Sequence, residues 1–319
     1  MSRLIWSTLT LFHCAYCSSA EKSSEEHIEL TEATCGPPSK GGILAHVGFR
    51  KGAEFQREIS VCFDREAEQS HYANHTIEGA DLSKKRSGGG SSSSERPSDF
   101  DDDFGLFNKS APDEAFKLEA QRETLKGLLG VREARRVFKK YSSFLARGHL
   151  APDADFPDEK GRDATYTFLN VAPQWQNFNN GDWKSVEGAV RQYANKSRHR
   201  VEVFTGTHGQ LALEGEKLYL AKRGGKAYMT VPENLWKILH DPEEKKAVVF
   251  IGLNVPKSQE NNFTADALCP DRCQSAGWSF GERNSSSTAL YCCSYKDFAK
   301  SVPWLPAVGN NSTGLLQSL

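Results

Sequence analysis

The sequence predicts an α+β fold. Strand-like runs such as VEVFTG (201–206), KLYLAK (217–222), LWKIL (235–239) and AVVFIGL (247–253) follow one another, separated by Gly, Pro and charged turns. Helical periodicity is confined to other regions, so strands and helices do not alternate as they would in a doubly wound sheet. With 319 residues, 38% of them hydrophobic, and no visible repeat, the chain is neither collagen-like, a coiled coil nor wholly disordered.

The first 20 residues have the pattern of a signal peptide. Arg3 gives a positive start, residues 4–16 are largely apolar, and Ser18, Ser19 and Ala20 are the small residues that a signal peptidase requires. The apolar run is too short to span a bilayer, and no later run is long enough either. We therefore expect a secreted, soluble mature protein without membrane contact. A buried N-terminal helix is the alternative.

The cysteines agree with secretion. Six remain after the predicted cleavage, namely Cys35, Cys62, Cys269, Cys273, Cys292 and Cys293, and an even number in a secreted chain indicates disulfides. The sequence does not fix their pairing, although the adjacent Cys292 and Cys293 are expected to take separate partners, with Cys269 and Cys273 as the nearest candidates. A zinc site built from these four is the alternative. Seven N-x-S/T sequons predict a glycoprotein: Asn74, Asn108, Asn195, Asn262, Asn284, Asn310 and Asn311.

The region before residue 150 contains a strand, an insertion and basic helices. EFQREISVCF favours a strand over 55–63, and the Gly/Ser/Asp-rich stretch 83–104 favours a disordered insertion within one domain. Pro112 opens a helical pattern that stops at Gly130, and a shorter helix is expected over 132–140. Residues 117–147 hold nine Lys/Arg against three Glu, whereas the whole chain has a net charge of −1. The overall charge argues against binding nucleic acid by bulk electrostatics, but this segment does not.

Two short strands and one helix surround the polar motifs. Strands are predicted over 143–146, just before RGHLAP, and over 165–171. A helix is predicted from Asp182, because Trp183, Val186, Val190 and Tyr193 fall on one apolar face. On this pattern Trp175 and Trp183 are expected in the core, and no role is assigned to His199 or His208.

The polar residues of this window suit phosphodiester hydrolysis. A neutral histidine can accept the proton of an attacking water, because the ordinary histidine pKa is ~6.5, and His149 follows Gly148, which permits a sharp turn and close approach of a substrate. Arg147 and Arg191 can bind phosphate oxygens. Glu187 precedes Arg191 by four residues, so the two share a helix face.

Two asparagines complete the pattern. Asn170 lies in LNVAPQ, and Asn179 lies in FNNGDW just before the predicted helix. Taken alone, such residues are usually turn or capping residues, and the Glu187/Arg191 pair would be an ordinary helix-surface pair worth ~0.3–0.5 kcal/mol. Their occurrence together with RGH is the more specific signal.

RGHLAP followed by NVAPQWQNFNNGDWKSVE resembles the signature of the DNA/RNA non-specific endonucleases of the Serratia nuclease type, which have a ββα-metal active site. The C-terminal CPDRC and YCC are similar to secreted arthropod-type members, some of which prefer double strands. The resemblance implies a central antiparallel sheet with flanking helices, stapled by disulfides. It divides the chain into a signal peptide (1–20), an N-terminal extension (21–44), a nuclease domain (45–305) and a tail (306–319).

The resemblance also implies roles for individual residues. His149 would be the general base and Asn179 the direct protein ligand of Mg²⁺. Glu187 would hold the metal through water and Asn170 would support that network, while Arg147 and Arg191 would bind the scissile phosphate. One neutral amide ligand leaves most of the coordination shell to water and phosphate, which suits Mg²⁺, and Mn²⁺ is expected to substitute.

Two departures from the family pattern are visible. Ala146 stands where an acid often precedes RGH, and an upstream phosphate-binding arginine has no clear counterpart, His75 being the best candidate. The expected function is Mg²⁺-dependent cleavage of DNA, double-stranded DNA foremost, and of RNA, leaving 5′-phosphate ends, with no obligate protein partner. The alternatives are a catalytically silent protein that binds a polyanion or another protein, and a phosphodiesterase that acts on small nucleotides.

Overall fold

The structure is a computed structural model that describes residues 28–38, 41–82, 99–101, 105–139, 143–259, 267–280, 290–305, 308, 312 and 314–319. The predicted signal peptide and four of the predicted sequons (Asn262, Asn284, Asn310 and Asn311) lie outside these residues, as do residues 83–98 and 102–104 of the predicted insertion. Within the described part, no helix is both long enough and apolar enough to cross a membrane.

The described strands are β1 (Ile28–Cys35), β2 (Gly42–Lys51), β3 (Glu54–Asp64), β4 (Gln69–Glu78), β5 (Leu145–His149), β6 (Val171–Trp175), β7 (Arg200–His208), β8 (Ala212–Leu213), β9 (Glu216–Lys217), β10 (Tyr219–Arg223), β11 (Lys226–Thr230), β12 (Asn234–Asp241), β13 (Lys246–Leu253), β14 (Leu290–Cys293) and β15 (Gly314–Leu315). Nine of them form one sheet in the order β1-β2-β3-β4-β7-β12-β13-β14, with β15 beside β13. Only the β13–β15 pairing in this sheet is parallel. The predicted α+β class with a central antiparallel sheet is confirmed.

The described helices are α1 (Pro112–Ala115), α2 (Leu118–Val137), α3 (Glu159–Asp163), α4 (Gln176–Phe178), α5 (Lys184–Ser197) and α6 (Tyr295–Ser301). The backbone of α2 leaves the helical region at Gly130 (φ 78, ψ 163), where the sequence predicted a stop. A π-helical turn, Asn179–Trp183, leads into α5, so helical structure begins before the predicted Asp182. The apolar face of α5 is buried as predicted.

Two expectations near the RGH motif were wrong. Arg147, Gly148 and His149 do not follow a strand but form the C-terminal part of β5, paired with Pro173, Ala172 and Val171. Gly148 therefore makes no turn. A Cβ on it would lie 2.2 Å from the side chain of Gln174, so its missing side chain makes room for a neighbour on β6.

The predicted strand over 165–171 contains a 3₁₀ turn, Phe168–Asn170, and β6 begins only at Val171. The Thr167 side chain accepts a hydrogen bond from the Leu169 N–H, which favours the turn over an extended chain.

Segments that the sequence placed outside the domain, or called disordered, take part in the fold. β1 and the start of β2 come from the predicted extension, and β15 comes from the predicted tail. From the predicted insertion, the N–H of Asp101 donates to the Tyr166 carbonyl (3.0 Å), and its carbonyl accepts from the Phe168 N–H (3.1 Å). Asp101 of the predicted insertion is therefore hydrogen-bonded to the domain.

Three disulfides join Cys35 to Cys62, Cys269 to Cys293, and Cys273 to Cys292. The adjacent cysteines thus take separate partners, as expected, and the alternative of a zinc site at these residues is wrong.

Both faces of the main sheet are covered. All eight residues of β12 are buried, with Leu235 and Leu239 packing in the cluster that contains α5 and with Trp236 in the cluster that contains α6. Because side chains alternate along a strand, Lys237 points to the α5 side, between the two leucines. Trp175 and Trp183 are fully buried, as predicted.

Candidate active site

The floor of the site is a polar strip on the α5 side of the main sheet. His75 lies between the core residues Ala73 and Ile77 on β4, and on β7 Thr205 pairs directly with Lys237 of β12. The strands β4, β7 and β12 are adjacent, so His75, Thr205 and Lys237 line one face of three neighbouring strands. All three residues are buried among apolar core residues of that face, such as Ala73 and Leu239.

Asp155 joins this floor to helix α5. It lies in the 3₁₀ turn Asp153–Asp155, six residues after His149. One of its carboxylate oxygens is 2.8 Å from His75 Nε2, and the other accepts a hydrogen bond from Arg191 Nη1 at 2.8 Å. The loop that follows the RGH strand is thus fixed to both the sheet and α5.

The electrostatics indicate that this group holds an ionised Asp155 and a neutral His75. Burial raises the pKa of Asp155, but the hydrogen bond from His75 and the charges of Arg191 and Lys237 outweigh it, so the net shift is downward. Burial lowers the pKa of His75, and the opposing effect of Asp155 is smaller. A neutral His75 therefore donates from Nε2 to the carboxylate, and Arg191 supplies the balancing charge.

Glu187 and Lys237 form a second charged group beside the first. Burial raises the pKa of Glu187 to about 7, against the lowering effect of Lys237. Burial also lowers the pKa of Lys237, which is fully buried. Its ammonium group donates to Thr205 Oγ1 and lies 3.4 Å from the Leu150 carbonyl, next to His149. It also lies 5.7 Å from the centre of the Trp183 ring.

His149 ends strand β5 within a group of aromatic rings. Its ring centre is 5.0 Å from that of Tyr166, edge to face, and 5.3 Å from that of Phe100. Phe100 also lies 5.5 Å from the guanidinium of Arg147, so the two motif residues share one neighbour. Arg147 is ion-paired with the exposed Asp113 at 3.1 Å. This arrangement fixes the His149 ring from two sides and leaves Arg147 partly exposed.

The two asparagines occupy different positions. Asn170 is fully buried, its amide oxygen accepts from the Ala151 N–H (2.8 Å), and its amide nitrogen donates to the carbonyls of Ala151 (2.8 Å) and Thr165 (3.0 Å). These bonds fix the chain directly after His149, which suits a supporting role. Asn179 is half-buried and is the first residue of the π-helical turn before α5.

The polar groups around Asn179 and Glu187 offer oxygen ligands, the type that Mg²⁺ prefers. Among the described residues, the group of three His/Cys/Asp/Glu ligand atoms close enough to share a metal is Asp271, Cys273 and Cys292, and both of these cysteines are in a disulfide. The candidate donors for a metal are therefore the amide oxygen of Asn179 and the carboxylate of Glu187.

The sequence around this site matches a known protein family. The sequence pattern of the family described as DNA/RNA non-specific endonuclease matches residues 41–295. The chain belongs to this family. It is therefore an endonuclease, a metal-dependent enzyme that hydrolyses phosphodiester bonds of nucleic acid.

Curated relatives of this endonuclease include salivary proteins of insects. A salivary endonuclease of Lutzomyia longipalpis is 30% identical over 300 residues, which cover 91% of this chain and 68% of the relative. A salivary endonuclease of Culex quinquefasciatus is 29% identical over 166 residues, 50% of this chain and 44% of the relative. Among solved structures, a chain of the EndoG/EndoGI complex matches at 16% identity and a TM-score of 0.46, with 81% of this chain and 84% of that chain covered.

Asp155 and Lys237 of this endonuclease were not predicted from the sequence. His75 was predicted, as the replacement for an upstream arginine, and it lies in the same buried group as Arg191. The usable signal for Lys237 was its position inside the apolar run LWKIL, because a lysine in a strand buried on both faces requires a partner. Asp155 follows the RGH motif closely, but nothing in the sequence distinguishes it from Asp153.

Proposed function

We propose that this endonuclease is a secreted, Mg²⁺-dependent and sugar-non-specific enzyme that cleaves DNA, double-stranded DNA foremost, and also RNA, leaving 5′-phosphate ends. The observation that carries the proposal is the Arg191–Asp155 ion pair. It ties the helix that bears Glu187 and Arg191 to the loop directly after His149. This link supports the proposal that the candidate base and the candidate phosphate-binding residues act in one site within the predicted 45–305 domain.

Each side chain has a task in this proposal. His149 accepts a proton from the attacking water, and the rings of Phe100 and Tyr166 hold its imidazole in place. Arg191, fixed by Asp155, and Arg147 bind the oxygens of the scissile phosphate. This division gives proton transfer to β5 and phosphate binding to both β5 and α5.

The remaining predicted residues serve the metal. Asn179 would hold Mg²⁺ directly and Glu187 through water, with Asn170 supporting the loop beside them. When bound, the metal supplies Lewis-acid stabilisation of charge on the phosphate and the leaving oxygen. Lys237 keeps part of the negative charge of Glu187 balanced beneath the site.

Digestion of plasmid DNA tests the proposal. Wild-type protein should cleave with Mg²⁺ or Mn²⁺ and stop when EDTA is added. His149→Ala should lower the rate about 10²–10⁴-fold, the range for loss of a general base. His208→Ala, a histidine with no assigned role, is the matched control. Saturable DNA binding without cleavage by the wild type would instead support the catalytically silent alternative.

Three further measurements test the finer points. Asn179→Ala should raise the Mg²⁺ concentration needed for half-maximal activity, and an unaltered metal titration would remove Asn179 as the ligand. Wild-type activity should fall as the pH drops through the histidine range, because His149 must be neutral. A panel of double-stranded DNA, single-stranded DNA, double-stranded RNA and hybrid, with analysis of the product ends, tests substrate range and 5′-phosphate formation.

The proposal of secretion has its own support. The predicted signal peptide, the disulfides and the names of the salivary relatives all favour an oxidising, extracellular location. Of the predicted glycosylation sites in the described residues, Asn108 and Asn195 are exposed, whereas Asn74 is half-buried within β4. We therefore expect a glycan at Asn108 before Asn74, which mass spectrometry of the secreted protein would measure.

A further inference from the structure

A cleft of about 450 Å³ opens beside the candidate active site. One wall is helix α5, with Gly188, Gln192 and Asn195. The opposite wall is the loop after the RGH strand, with Phe156 and Pro157. The cleft thus lies between the same helix and the same loop that the Arg191–Asp155 ion pair joins.

The helix wall follows directly from the spacing of residues on α5. Gly188, Gln192 and Asn195 are separated by four and three residues, so they form one stripe along the helix. That stripe adjoins the one formed by Glu187 and Arg191, and Arg191 itself lines the cleft. With a rise of 1.5 Å per residue, the stripe from Gly188 to Asn195 is about 10 Å long. The cleft is therefore continuous with the site and has room for a short piece of a bound strand.

The chemistry of the walls favours a particular part of a nucleotide. Phe156 and Pro157 offer apolar surface, while Gln192 and Asn195 offer amide donors and acceptors. Among the lining residues that the structure describes, Arg191 is the one cation and Asp81 is the one acid. Arg191 lies on the same helix stripe as Glu187. One cation and one carboxylate among these residues do not suit a run of phosphates, but apolar walls with a few amides suit a sugar and a base.

We propose that this cleft is a subsite for the nucleoside part of the nucleotide next to the scissile phosphate, with the phosphate itself at Arg191. The inference rests on the proposed function, because it assumes that Arg191 binds that phosphate. Gly188 lies in the helix wall of the subsite, and a Cβ placed on it would meet no atom within 4 Å. A larger side chain at this position fills the cleft without displacing the protein.

The test uses Gly188→Leu, with Gly127→Leu as a matched control. Gly127 also lies in a helix and has open space at its Cβ position, but it does not line the cleft. Replacing glycine inside a helix stabilises the helix, so neither variant should unfold. Gln192→Ala is a second variant that removes an amide from the cleft without adding bulk.

The substrates are short DNA duplexes with one cleavable bond, in which the nucleotide on its 5′ or 3′ side either keeps its base or is abasic. Because Asn195 begins a predicted sequon, all proteins are made without N-glycans. For the wild type, removing the base on one side of the cleavable bond should raise KM, whereas removing it on the other side should not. Gly188→Leu should raise the KM of the base-bearing duplex about tenfold and abolish its difference from the abasic duplex. Gln192→Ala should reduce this difference, and Gly127→Leu should match the wild type.

The outcomes separate the subsite from the proposed function. If the wild type cleaves but Gly188→Leu keeps the same KM and the same preference for a base, the subsite is overturned and the nuclease proposal stands. Binding of the same duplexes by His149→Ala proteins with and without Gly188→Leu, measured by fluorescence anisotropy, gives a readout without catalysis. Equal affinity of these two proteins would also overturn the subsite.

Discussion

Replacing Asp155 by asparagine should destabilise this endonuclease although the side chain keeps its shape. The Asp155 side chain is 2% exposed, and its two oxygens lie 2.8 Å from His75 Nε2 and from Arg191 Nη1. An amide oxygen can still accept the hydrogen bond from Arg191, but the amide nitrogen then faces His75 Nε2 and can only donate, so His75 has to take its other tautomer to keep a hydrogen bond. The negative charge between His75, Arg191 and Lys237 is lost as well.

The magnitude follows from the change in hydrogen-bond type. A bond to a charged group contributes about 1.5–3 kcal/mol and a neutral one about 0.5–1.5 kcal/mol, so each of the two bonds loses about 1 kcal/mol. Arg191 is 24% exposed, so water partly compensates its unpaired charge. We expect Asp155→Asn to lower the free energy of unfolding by about 2 kcal/mol. Asp155→Ala should cost about 3–4 kcal/mol, near the range for breaking a buried ion pair.

Urea denaturation with the disulfides intact measures this effect. Asp113→Asn is the matched control, because Asp113 also pairs with an arginine, Arg147, at 3.1 Å but is exposed. The control should change the free energy of unfolding by less than about 1 kcal/mol. Because Asp155 holds Arg191, Asp155→Asn should also lower kcat/KM on DNA about tenfold or more. If Asp155→Asn resembles the control in both stability and activity, Asp155 does not organise the site.

Three other perturbations have defined outcomes. Lys237→Met should lower the free energy of unfolding by about 3 kcal/mol in thermal or urea denaturation, since it leaves buried carboxylates without their ammonium group. Asn254→Ala should cost about 3 kcal/mol, because the side chain satisfies three buried backbone groups. The hydrogen bond to Asp241 raises the pKa of His199, so its stabilisation is complete below the unfolded pKa of ~6.5 and is lost as pH rises through the folded value. The difference in the free energy of unfolding between the wild type and His199→Gln should therefore be larger at about pH 6 than at about pH 9. His46→Gln is the comparison variant and should show the opposite trend, because burial lowers the pKa of His46.

The parts of this fold that the sequence predicted are those that depend on nearby residues. The buried face of α5 follows from a repeat within eleven residues, and the interruption of α2 follows from a single glycine. The antiparallel sheet was predictable as a class, because its strands follow one another with short turns. Its strand order was not, since β4 pairs with β7 across more than a hundred residues of intervening chain.

The residues of the candidate site show the same difference between features that depend on nearby residues and features that depend on distant ones. His149, Arg147, Asn170, Asn179, Glu187 and Arg191 were selected because they lie close together in a motif. Asp155 was not selected, because its meaning depends on His75, which is 80 residues away in the sequence. A local pattern can show that a carboxylate is present near a motif, but it cannot show which distant side chain will neutralise it.

Lys237 shows where such distant partners can nevertheless be sought. Its strand is buried on both faces, and an unpaired ammonium group buried there would cost several kcal/mol. A lysine can occupy that position only if the fold brings acceptors and carboxylates to it, as Thr205, Glu187 and Asp155 are brought here. A charged residue that interrupts a fully apolar strand is therefore a local inconsistency that only a tertiary polar site resolves. In this endonuclease Lys237 interrupts the apolar run from Leu235 to Leu239, and it lies beneath the residues proposed to cleave the phosphodiester bond.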